Sequence, residues 1–122
     1  MAIFVYEDKR AKIPFYEWRN KMNAKEPSIA HKIDDMIAMM QNKTLPLERP
    51  RVKRMLARLP YRDLFKIRLG KYRLFFLFKD DDYYLLHAFR KSSQRTPEKE
   101  CRLVAREIEA NHYTTYHEQK GD

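Results

Sequence analysis

The chain has 122 residues, the length of one domain with room for a real core, and 43% of them are hydrophobic. No run of consecutive apolar residues exceeds six, far short of the ~20 that a membrane-spanning helix needs. Lys and Arg outnumber Asp and Glu by 26 to 17, and this net charge of +9 favours nucleic acid, an anionic surface or an acidic partner without choosing among them. Cys101 is alone, which excludes an intramolecular disulfide framework and a Cys-based metal pattern. Met1 is followed by "AIFVYEDKR", too short in apolar residues and too early in charge for a signal peptide, so a cytoplasmic location is expected.

"AIFVYED" is β-prone and predicts a first strand. Pro14 suits the first turn of a helix on which Phe15, Trp18 and Met22 form one apolar stripe. Ile29, Ile33, Met36, Ile37 and Met40 then follow helical spacing, and the two helices together predict a hairpin packed on a sheet. "TLPLERP" is a connection. After it, Arg49, Arg51, Lys53, Arg54, Arg58 and Arg62 come without an intervening acid, either as a solvated loop or as a phosphate-binding surface. From Leu64 the period becomes two, and three successive strands follow, turning at Gly70 and at "KDDD". Thr96 is the expected N-cap of a last helix, with Pro97 as its first residue and Cys101, Val104, Ala105 and Ile108 as its apolar stripe. The expected architecture is α+β in the order βααβββα, with helices against one face of an antiparallel sheet of about four strands. Residues 1–110 form the single domain, and 111–122 a polar, frayed tail.

In "RLGKYRLFF", Gly70 and Lys71 at the centre of a tight hairpin would set Leu69 opposite Tyr72, Arg68 opposite Arg73 and Ile67 opposite Leu74. Phe65, Ile67, Leu69, Tyr72, Leu74, Phe76 and Phe78 then face the helices, and Lys66, Arg68, Arg73 and Phe75 the other side. Like charges directly opposite destabilise a sheet by an amount comparable to the ~0.2–1 kcal/mol of favourable pairs. An anion between the two arginines would explain their retention. His87, Arg90 and Lys91 lie at or just beyond the end of the third strand, and Lys53 precedes the sheet. Two- and three-residue loops at "DDD" put His87 on opposite faces, so a buried, hydrogen-bonded histidine is as compatible with the sequence as a functional one. Walker-type glycine loops, GxSxG and HExxH motifs are absent. The aspartates 80–82 suit a solvated turn better than a metal site.

The R-x-G-x-Y-R hairpin at Arg68 to Arg73, the "LLHAFRKSSQRTP" segment and the helix opening with Thr96-Pro97-Glu98 resemble the RelE/ParE toxin superfamily, in particular its HigB-like, phage-derived branch. With "FYEWR" and the helical hairpin, the likeness covers roughly residues 3 to 110. The resemblance implies a RelE-like fold and a small toxin held inactive by a cognate antitoxin, here of the helix-turn-helix, HigA-like kind. Operator DNA would then be bound only through the antitoxin. RelE-like members cut mRNA in the ribosomal A site without a metal or cofactor, whereas others poison DNA gyrase. A plain RNA-binding module is a third possibility, for which the basic loop would suffice. On the nuclease reading, Arg68 and Arg73 stabilise transition-state charge and His87 or Lys91 moves protons. Lys53 and Arg90 position phosphate, with Arg54 and Lys66 as further RNA-binding cations.

Overall fold

A computed structural model describes residues 2–118. The elements run β1 (Ile3–Tyr6), α1 (Pro14–Lys25), α2 (Pro27–Gln41), β2 (Val52–Arg54), β3 (Leu64–Leu69), β4 (Tyr72–Lys79), β5 (Asp82–Arg90), α3 (Glu98–Ala110) and β6 (Tyr113–Thr115). The three-strand meander, the helical hairpin and the last helix lie where their periodicity predicts. The sheet has six strands rather than about four, in the order β2-β3-β4-β5-β1-β6. It is mixed, not antiparallel, because β1 pairs β5 in parallel.

Both additional strands arise where local pattern is weak. Val52–Arg54, expected to be loop, pairs antiparallel with β3 and sets Lys53 opposite Lys66. Tyr113–Thr115, expected to fray, pairs antiparallel with β1. Three residues carry too little alternation to announce a strand, and here the neighbouring backbone supplies the partner.

The stripe of α2 is buried in full, as are Phe15 and Met22 of α1, against Ile67, Leu69, Leu74, Phe76 and Leu85 of the sheet. Truncating one such side chain to alanine typically costs ~2–5 kcal/mol. The opposite face is not left to water. Leu64, Phe75, Leu77, Leu86 and Phe89 form a second core with Met55 and with Val104 of α3. The helices therefore cover both faces, α1 and α2 on one and α3 on the other. This double cover is the physical sense of "YRLFFLF": a strand buried on both sides needs apolar residues at successive positions, not alternate ones.

The tip of the β3–β4 hairpin is held against the α1–α2 junction. Gly70 has φ +61, and a Cβ there would stand 2.6 Å from Ile29 Cδ1 of α2. Glu26, between the helices, accepts a hydrogen bond from the Tyr72 hydroxyl and pairs with Lys71 at 2.9 Å. At the other turn, Asp80 and Asp81 both adopt positive φ, 52° and 66°, between the paired Lys79 and Asp82. The loop between β4 and β5 thus has two residues, the left-handed pair that suits the twist of a hairpin.

Candidate nucleic-acid interface

The register of the hairpin is the expected one, with Arg68 opposite Arg73, Leu69 opposite Tyr72 and Ile67 opposite Leu74. The two arginines are not equivalent. Arg68 is exposed, whereas Arg73 is buried, 8% accessible. Arg73 Nη1 donates to the backbone carbonyls of Gly70 and Tyr72, 2.8 Å each, and these bonds lock the guanidinium to the turn. Burial, and then the charge of Arg68, lower the Arg73 pKa. The pair is a real like-charge contact, held together by the hairpin that carries it.

Lys66 is next on the same face. It stands opposite Lys53 on one side and Phe75 on the other, and its Nζ donates to Thr96 Oγ1 at 2.6 Å. Burial, followed by the charges of Lys53, Arg73, Lys91 and Arg58, pulls its pKa down to about 8. Thr96 is therefore not the helix cap expected of it. Pro97 occupies that position, while the Thr96 hydroxyl serves Lys66 and its carbonyl accepts from Arg58 Nη1 at 2.8 Å. Arg58 also pairs with Glu98 at 3.0 Å. Among the described residues, Lys53, Lys66, Arg68, Arg73 and Lys91 have no carboxylate within ion-pair distance. Five unneutralised cations, one of them a half-buried lysine, give this face a positive field that attracts anions.

His87, Arg54 and Arg90 are placed elsewhere. Between the pairs Leu74–Ala88 and Phe76–Leu85, β5 carries one more residue than β4, so Phe75 faces both Leu86 and His87. This bulge turns His87 under α3, where Nδ1 lies 2.8 Å from Glu107 and Nε2 2.9 Å from Glu100. Burial opposes its charge, but the two carboxylates outweigh burial and raise the His87 pKa. The ring is a buried link between sheet and helix. Arg54 lies over the Phe65 ring, 5.2 Å from its centroid, on the α1–α2 face. Arg90 pairs with Tyr72 on that same face, and its charge is felt at Glu26.

Of the eight residues singled out from sequence, the structure brings five together: Lys53, Lys66, Arg68, Arg73 and Lys91. Thr96 was missed as a member of this cluster and has no local signal that could have revealed it, whereas Arg58 was legible only as one cation of the basic run between Arg49 and Arg62. They reach it through the close approach of the β2–β3 loop to the start of α3. Trp18 packs against Phe15 and Tyr72, as core packing predicts. Asp82 accepts from the Ala2 amide at 2.8 Å, and Asp81 pairs with Lys43 at 3.2 Å, so the aspartates serve the turn.

No described helix is long and apolar enough to cross a membrane. A chain of the YoeB–YefM complex from Staphylococcus aureus shares the fold, with a TM-score of 0.50 at 12% identity over 76% of this chain and 98% of that one. No curated protein matches in sequence. The model of the family described as "Phage derived protein Gp49-like (DUF891)" matches residues 20–109, from within α1 almost to the end of α3, and thus takes in every residue of the cationic cluster. The chain belongs to this Gp49-like, phage-derived family.

Proposed function

We propose that the protein is the toxin of a type II toxin–antitoxin pair, of the HigB-like branch of the RelE/ParE superfamily, and that it acts as a metal-independent endoribonuclease on translated mRNA in the cytoplasm. Family membership and the fold shared with a chain of a two-component complex support this reading. The observation that carries it is Lys66, half-buried with a pKa of about 8, beside the anchored Arg73. A group that titrates near neutrality is suited to give and take protons, and an arginine already fixed by its own backbone is suited to stabilise charge as it develops.

The reaction is transesterification at one phosphodiester. The 2′-hydroxyl passes its proton to solvent water as its oxygen bonds to phosphorus, and the bond to the 5′-oxygen breaks as that oxygen takes a proton from the charged Lys66. The products are a 2′,3′-cyclic phosphate and a 5′-hydroxyl. Arg73, whose Nε and Nη2 donate to no protein acceptor among the described residues, stabilises the phosphoryl oxygens. Lys66 in its charged form protonates the leaving oxygen, and Lys53, Arg68 and Lys91 attract and orient the backbone. His87 acts indirectly, by holding α3 in place. The ribosome supplies further alignment by presenting the mRNA in a reactive geometry. The partner is a HigA-like antitoxin that covers the cationic face with acidic groups and carries operator-DNA binding for the pair.

The test is to induce the protein without antitoxin and map new mRNA 5′ ends on a reporter with and without its start codon. Cuts confined to the translated reporter, and abolished by Arg73→Ala at equal expression, are expected. Growth arrest without such cuts would overturn the nuclease reading in favour of a gyrase-directed toxin.

A further inference from the structure

The cationic surface does not end at the hairpin. Around its tip, between β3 and α2, lies a cleft of about 620 Å³ bordered by Lys32, Asp35, Arg51, Arg68 and Gly70. Lys32 and Asp35 project from α2, one helical turn apart. Arg51 is held from two directions. Its carbonyl accepts the Arg68 amide at 2.8 Å, which ties the β2 approach to β3, and its Nη1 rests 3.8 Å from Met39 Sδ of α2. Among the described residues, Lys32, Arg51 and Arg68 have no carboxylate within ion-pair distance, Asp35 included. Three unneutralised cations and one unpaired carboxylate therefore converge on one concavity, and Arg68 belongs both to it and to the pair with Arg73.

This continuity gives the two arginines different work. Arg73 is buried and tied to the turn, whereas Arg68, one strand over, is exposed at the rim of the second concavity. Lys66 and Arg73 lie on the α3 face and the cleft on the α2 side, so a single-stranded polyanion that occupies both crosses the edge of the hairpin at Arg68, which borders the cleft. Grooves of this kind follow a nucleic-acid backbone by charge. The carboxylate adds selectivity: Asp35 accepts hydrogen bonds and repels phosphate, so the cleft suits a phosphate with a hydrogen-bond donor beside it, such as a base with an exocyclic amine.

We propose that this cleft is a second nucleotide subsite, in which Arg51, Arg68 and Lys32 hold a phosphate flanking the scissile one and Asp35 takes a donor from the adjoining base. The proposal rests on the reading of the cationic face as an RNA site and extends it beyond the reacting phosphate. It is tested with 2′-fluoro RNA, which lacks the attacking hydroxyl, in lengths of about 3 and 12 nucleotides, by fluorescence anisotropy over a salt series. The Lys32→Ser/Arg51→Ser double variant is expected to bind the longer RNA ~10-fold more weakly, with a salt slope shallower by about 0.7 for each phosphate it no longer holds. Its affinity for the short RNA stays that of the parent. Lys32→Glu, an exposed change on α2 that leaves the fold intact, shifts binding in the same direction. Equal binding of the long RNA by parent and variants would overturn the subsite alone. Failure of the parent to bind either RNA would overturn the RNA reading, and the subsite with it. Variants that bind RNA as the parent does but release a polyglutamate peptide would overturn the subsite and assign the cleft to an acidic polypeptide.

Discussion

Lys66 shows what a cluster of cations costs at a single position. Its ammonium is half-buried among Lys53, Arg73, Lys91 and Arg58, and among the described residues only Thr96 accepts from it. Because its folded pKa, about 8, lies below the ~10.4 of a free lysine, folding must work against its charge. That penalty is full below pH 8, fades between 8 and the unfolded value, and vanishes above it. Lys66→Met is therefore expected to raise the melting temperature at pH 7, with the gain shrinking towards pH 10, while RNA cleavage falls ~10²-fold or more. Calorimetry across pH beside a cleavage assay checks both halves, and a variant that loses stability at pH 7 would contradict the repulsion. The sequence placed Lys66 on the correct face by its alternation with Phe65 and Ile67. It could not show that Lys53 stands opposite, because that contact needs β2, three residues long and without a pattern of its own.

At the scale of elements, α3 is held as much by ions as by apolar contact. Cys101, Val104 and Glu107 are its buried residues, and Glu107 shares His87 with Glu100. Removing one partner of a buried charged group typically costs ~3–5 kcal/mol. His87→Gln is expected to lower stability by about that amount at pH 6 and by less as pH rises. The sign follows from the raised His87 pKa: its contribution is complete below the unfolded value near 6.5 and is lost as pH passes the higher folded value. Thermal melts of parent and variant from pH 6 to 9 should converge at the alkaline end, and parallel curves would show that the imidazole is not charged. The hairpin tip is the other tightly set element. Gly70→Ala combines a left-handed backbone with a clash against Ile29, so a loss of ~1–3 kcal/mol is expected, measurable by denaturant titration, together with a misplaced Arg73.

Over the whole molecule, the last strand closes the sheet. β6 covers the outer edge of β1, the Tyr116 amide donates to the Ile3 carbonyl at 2.9 Å, and the Tyr116 ring packs on Phe15 and Tyr16. The structural domain therefore reaches past residue 110; residues 119–122 of the expected tail lie outside the described residues. Ending the chain at Asn111 should lower the melting temperature by at least about 5 °C and, by baring an edge, promote self-association detectable by size-exclusion chromatography. An unchanged melt would return β6 to the status of a tail.

By itself the sequence determined the two N-terminal helices, the meander, the register of the arginine hairpin and the side to which Lys66, Arg68 and Arg73 point. All of these rest on short-range periodicity and on one glycine with φ +61. What only the tertiary structure decided is which element covers the second face, where the chain ends join the sheet, and what His87 does. A single extra residue opposite Phe75 moves His87 from the face of α1 and α2 to that of α3. No local pattern announces such a bulge, because it is selected by two carboxylates that approach from a helix formed later in the chain.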